Sequence, residues 1–142
     1  MVFREGVSFY GRKEKPMEYL FSVLERIRSR PEMYIGRKSL SALADFIGGF
    51  LCAVHTVTGN ASDFGGNFQT FTEIKARCVA TGTHWSKIIS QNRSPEEAFD
   101  LFFVYLEEFK AVLRRPGGIA AMEEAHRALL QAWLDADTEE KR

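Results

Sequence analysis

Two cysteines, Cys52 and Cys78, are too few and too widely spaced for a disulfide framework, and they do not form the Cys-x-x-Cys spacing of zinc or redox chemistry. Their apolar and helical neighbourhoods predict reduced, buried thiols. Four prolines in 142 residues leave long stretches free to coil into helices. Charge of one sign is also lacking: 19 Lys/Arg balance 19 Asp/Glu, so the total charge does not demand nucleic acid or an anionic membrane as partner. No run is read as approaching the roughly 18 apolar residues of a membrane span. The first residues carry Arg4 and Glu5 and lack an apolar core or cleavage site, which points to an intracellular, cytoplasmic chain with no membrane partner. Internal repeats and low-complexity blocks are absent.

What is present suits a globular domain. Hydrophobic residues make up 45% and charged residues 27%, enough apolar surface to bury without staples. Twelve phenylalanines make Phe the main bulky core residue. Charge is uneven along the chain: residues 1–38 hold nine Lys/Arg against five Glu, and residues 116–142 hold three against six Asp/Glu.

Periodicity then divides the chain. Residues 1–15 read as a loose arm or a short two-strand ribbon, the favoured form being an extended arm packed on the body; residues 16–136 read as one helical domain, and residues 137–142 as a frayed tail. Pro16 suits a first helical turn, and Tyr19, Leu20, Val23, Leu24 and Ile27 fall at helical 3,4 spacing until Pro31 stops them near Arg30. A connector of residues 31–38 leads to Ser39, a natural N-cap, and to a helix with Leu40, Leu43, Phe46, Ile47, Phe50, Leu51 and Val54 on one face. Gly48-Gly49 inside it predicts a close neighbouring helix, and Gly59 its stop. Residues 60–67 read as a long loop, followed by a helix carrying Phe68, Phe71, Ile74, Lys75 and Cys78 and a short amphipathic piece around Trp85. Ser94-Pro95-Glu96-Glu97 combines an N-cap serine, a first-turn proline and an N3 glutamate. It opens a helix with a broad Phe-rich face that Pro116-Gly117-Gly118 ends, and a last helix carries Met122, Leu129, Leu130, Trp133 and Leu134. The expected architecture is all-α, five or six helices around a Phe-rich core.

Catalytic constellations are not found. His55, His84 and His126 lack metal-ligand spacing, and Glu123, Glu124 and His126 form a Glu-x-x-His-like fragment without the second motif a di-iron site needs. No nucleophile elbow or phosphate-binding loop is present. The sequence therefore predicts no enzyme, no metal and no cofactor.

Residues 24–36, Leu-Glu-Arg-Ile-Arg-Ser-Arg-Pro-Glu-Met-Tyr-Ile-Gly, resemble a segment near the start of the ATPase subunit of bacterial DNA gyrase. The resemblance ends after about a dozen residues. The Glu/Asn pair for magnesium and the Asp-x-Gly-x-Gly motif for adenine do not follow, so ATP binding is not expected. Continued through Ser39-Leu40-Ser41-Ala42-Leu43, with a later Trp85 and the Phe99–Phe109 helix, the same segment resembles a group of small uncharacterised bacterial helical proteins. These are similar in kind to the immunity proteins of polymorphic toxins, which implies a cognate protein partner such as a toxin, neutralised by direct binding.

Arg26, Arg28, Arg30, Arg37 and Lys38 gather at one helix end and its connector, more cations than the helix dipole requires. Tyr34 and Trp85 are the aromatics least committed to a helical stripe, and the 60–67 loop offers Asp63 and an apolar knob, Phe64. Arg28, Arg30, Tyr34, Arg37, Lys38, Asp63, Phe64 and Trp85 are the candidate partner-binding residues. The alternative is a small regulator binding nucleic acid or a phosphate-bearing ligand through the cations. A monomer or a homodimer fits either reading.

Overall fold

The computed structural model describes residues 16–79 and 81–142, and the expected N-terminal arm lies outside them. Seven helices follow one another among the described residues: α1 (Pro16–Ser29), α2 (Pro31–Ile35), α3 (Leu40–Thr58), α4 (Phe64–Ala76), α5 (Trp85–Ser90), α6 (Pro95–Arg114) and α7 (Gly118–Glu140). No strand occurs among them, and the all-α expectation holds. The chain divides into two compact units, residues 1–64 and 65–142.

In the first unit, α1 ends one residue before the Arg30-Pro31 pair, where proline removes a backbone donor and crowds the residue before it. Pro31 then serves as the first residue of α2, a single turn inside the expected connector, closed by Gly36 in left-handed geometry with φ 82°. Its N–H donates to the Glu32 carbonyl at 3.1 Å. Ser39 caps α3, its hydroxyl accepting from the Ala42 N–H at 3.4 Å, and Gly59 ends it at φ 73° with its N–H on the His55 carbonyl at 2.8 Å. Leu20, Leu24, Ile27, Leu40, Leu43 and Ile47 are buried. Each such side chain contributes about 1.5–3 kcal/mol.

Four expectations about α3 are corrected. Gly48 and Gly49 are exposed, and a Cβ on either would meet nothing within 4 Å, so the expected close neighbour is not found among the described residues of the first unit. Phe46, Phe50, Leu51 and Val54 are only half-buried, and Cys52 is exposed instead of buried. With Asp45 as its one Asp, Glu, Lys or Arg, α3 is also long and apolar enough, by length and composition, to cross a membrane, contrary to the expectation that no run approached this.

The expected eight-residue loop shrinks to residues 60–63, because Phe64 already belongs to α4. The Ser62 hydroxyl accepts from the Phe64 N–H at 3.2 Å and supports the first turn.

The second unit is built on a cluster of aromatics packed mostly edge to face. Phe68 meets Trp85, Phe102 and Phe109 edge-on at 5.2–5.4 Å, and Phe71 meets Phe109 at 5.6 Å. Such pairs add about 0.5–1.5 kcal/mol each beyond burial. Ser94 caps α6 with its hydroxyl accepting from the Glu97 N–H at 3.1 Å, the geometry its Ser-Pro-Glu-Glu start announces. A close glycine approach does exist, at Gly118 in the corner between α6 and α7. A Cβ there would overlap the Val112 carbonyl oxygen and lie 3.0 Å from its carbon. The last helix continues to Glu140 through the expected frayed tail, with Lys141 and Asp137 paired at 2.8 Å.

Candidate functional site

The first unit brings the cations and the uncommitted tyrosine together around α2. Pro31 is buried and Ile35 half-buried, so one side of this single turn is anchored. The other side projects Met33, 70% exposed, and Tyr34, 43% exposed. The turn is fixed at both ends: the Met33 N–H donates to the Arg30 carbonyl at 3.1 Å, and Gly36 closes it in the left-handed region that suits glycine. The Ser29 hydroxyl returns to the Arg26 carbonyl at 2.9 Å, closing α1 just before it.

Arg30 and Arg37 flank the projecting pair in sequence, and both are exposed. Neither forms an ion pair among the described residues, and the same holds for Arg26. Arg28 faces Glu25 at 3.9 Å with both side chains about half exposed, an i,i+3 pair worth less than about 1 kcal/mol in water. Lys38 is half-buried and engaged. The arrangement presents two large apolar or aromatic side chains on a rigid turn, with uncommitted guanidinium groups on either side. Met33 was not singled out from sequence, because its place in a supposed connector gave no sign of which way it faces.

Three other candidates fall elsewhere. Phe64 is fully buried, its ring edge-on to Phe21 at 6.2 Å, and so is a core residue of the first unit instead of an apolar knob. Trp85 is 3% exposed against Phe68 and Phe102, with its backbone N–H on Gln69, so it anchors the second core and is no surface contact. Asp63 remains exposed beside Phe64.

Several titratable groups of the second unit have structural partners. His126 Nε2 lies 3.0 Å from Glu73 Oε2 and joins α7 to α4, instead of lying on a solvated face with Glu123 and Glu124. His84 begins α5 with Nδ1 accepting from the Ser86 N–H at 3.2 Å, and burial lowers its pKa below the ordinary 6.5. Lys75 meets Glu108 at 2.7 Å, and this hydrogen bond raises the lysine pKa. No group of three or more His, Cys, Asp or Glu positioned to hold a metal occurs among the described residues.

The chain matches no known protein family, no curated protein and no solved structure.

Proposed function

We propose that this chain is a non-enzymatic protein-binding module whose contact face is the α2 turn, with Met33 and Tyr34 as apolar anchors and Arg30 and Arg37 as flanking charges. The observation that carries this reading is the exposure of Met33 and Tyr34 on a turn pinned by buried Pro31. A soluble surface gains nothing from presenting two such side chains side by side on a fixed support, whereas an interface does, since rigid anchors lose little entropy on binding. Tyr and Arg are also the residue types that dominate binding hot spots. The unpaired cations favour an acidic partner surface. Within this reading the chain acts as an immunity protein that neutralises a toxin by direct binding, the role suggested by its likeness in size and helicity to that class.

The test is co-purification of the tagged full chain from its native cells, beside Tyr34→Ala and Met33→Glu variants. A stoichiometric protein partner that is retained by the wild type, and whose binding drops by about 2 kcal/mol in the folded Tyr34→Ala variant, supports the proposal. An undiminished complex in both variants removes α2 as the contact face. Recovery of nucleic acid that salt displaces would favour the regulator reading, for which the unpaired arginines speak.

A further inference from the structure

A groove of about 320 Å³ lies in the second unit, where α4, the end of α6 and the start of α7 meet. Its walls are apolar: Phe71 and Ile74 from α4, Val112 from α6, and Met122 and Ala125 from α7. One charged residue lines it, Arg115, which is exposed and forms no ion pair among the described residues. The groove falls at the lower end of the size range of small-molecule sites, which are typically apolar with a few converging polar groups.

We propose that this groove binds a small amphipathic carboxylate, its apolar chain lying along Phe71, Ile74 and Met122 and its anionic head on the Arg115 guanidinium. Charge complementarity selects the ligand class. A neutral apolar molecule would leave the guanidinium without a counter-charge, and a cation would be repelled by it. A carboxylate accepts two parallel N–H bonds from the fork of an arginine. The corner adds to this preference for an anion. Gly117, the residue before α7, has φ 69° and no side chain with which to cap the helix, so the positive end of a 23-residue helix opens beside Arg115. The geometry is fixed by Gly118, whose N–H donates to the Arg115 carbonyl at 3.0 Å and whose missing side chain lets the corner close against Val112. Ligand and α2 face belong to different units, so this proposal stands or falls independently of the protein-binding reading.

The probe is decanoate, titrated into the full chain and followed by calorimetry and by the backbone amide signals of Ile119, Ala120 and Ala125. Acetate and decanol are the controls for the apolar chain and for the charge. Decanoate is expected to saturate one site and shift those three amides, with decanol and acetate each weaker by about tenfold or more. Arg115→Glu, at an exposed position, is expected to weaken decanoate by at least about tenfold while leaving decanol unchanged. Ala125→Phe, also at an exposed position, is expected to fill the groove and abolish binding of both. Circular dichroism establishes that each variant is folded. Equal binding of decanol and decanoate, undiminished binding to Arg115→Glu, shifts confined to other residues, or no saturable binding at all would each overturn the proposal.

Discussion

The side-chain amide of Gln69 braces Trp85 through its backbone: Oε1 accepts from the Trp85 N–H at 2.7 Å, and Nε2 donates to the Thr83 carbonyl at 2.8 Å. Both ends of one amide thus fix the segment that delivers Trp85 to the aromatic core. Gln69→Leu keeps the approximate volume and removes both bonds, each worth about 1 kcal/mol net. A loss of about 2 kcal/mol is expected, read as a lower denaturant midpoint at unchanged slope. A midpoint equal to that of the wild type would show that the brace contributes nothing.

The glycines of α3 and of the α6–α7 corner should respond in opposite directions to alanine. Gly118→Ala places a methyl group on the Val112 carbonyl, so the corner must open, at an expected cost of about 1–3 kcal/mol or more. Gly48→Ala and Gly49→Ala add a methyl group to an exposed helix interior with open space around it, and should each stabilise by about 0.5–1 kcal/mol. Melting temperatures measured by calorimetry decide the matter. Stabilisation by Gly118→Ala would contradict the corner geometry.

Thr72 is fully buried and its hydroxyl has no hydrogen-bond partner among the described residues. Such a group forfeits its water without replacement, at about 1–3 kcal/mol. Thr72→Val keeps the shape and removes the unsatisfied oxygen. The variant should be more stable by about 1 kcal/mol, since valine and threonine have nearly the same helix preference. A less stable variant would mean that the hydroxyl is satisfied in solution.

His84 couples stability to pH. Burial lowers its pKa in the folded state below the ordinary 6.5, and its neutral Nδ1 is the acceptor that caps α5. Between the two values the unfolded chain binds more protons than the folded one, so stability falls as pH drops through 6.5 and levels off below the folded pKa. His84→Asn keeps a capping acceptor without titrating. The stability difference between wild type and variant should therefore shift against the wild type from pH 8 to pH 5. A difference that does not change with pH would refute the coupling.

Helix boundaries were the most legible part of the sequence. Pro31, Ser39, Gly59 and Ser94 each act on backbone groups within four residues, and each does what its local chemistry dictates. Residues 31–35 and 64–67 read as a connector and a loop because Pro31 interrupts the helical pattern at the first and Gly65-Gly66 falls in the second. Their helicity comes from Pro31 and Phe64 being held in the first core. The basic cluster and Tyr34 were visible as residue types, but their meeting on one pinned turn was not. The groove beside Arg115 left no trace in the sequence, since its lining comes from three helices and a turn.

The sequence alone determined the helix boundaries marked by Pro31, Ser39, Gly59 and Ser94, because capping and proline effects are settled between neighbours along the backbone. Tertiary structure alone decided which aromatics are spent in cores, Phe64 and Trp85, and which remain outward, Tyr34 and Trp133. It also placed the required glycine at Gly118 and left Gly48 and Gly49 in open space. Burial and close approach depend on surfaces supplied by residues distant in the chain, and no local pattern specifies those surfaces.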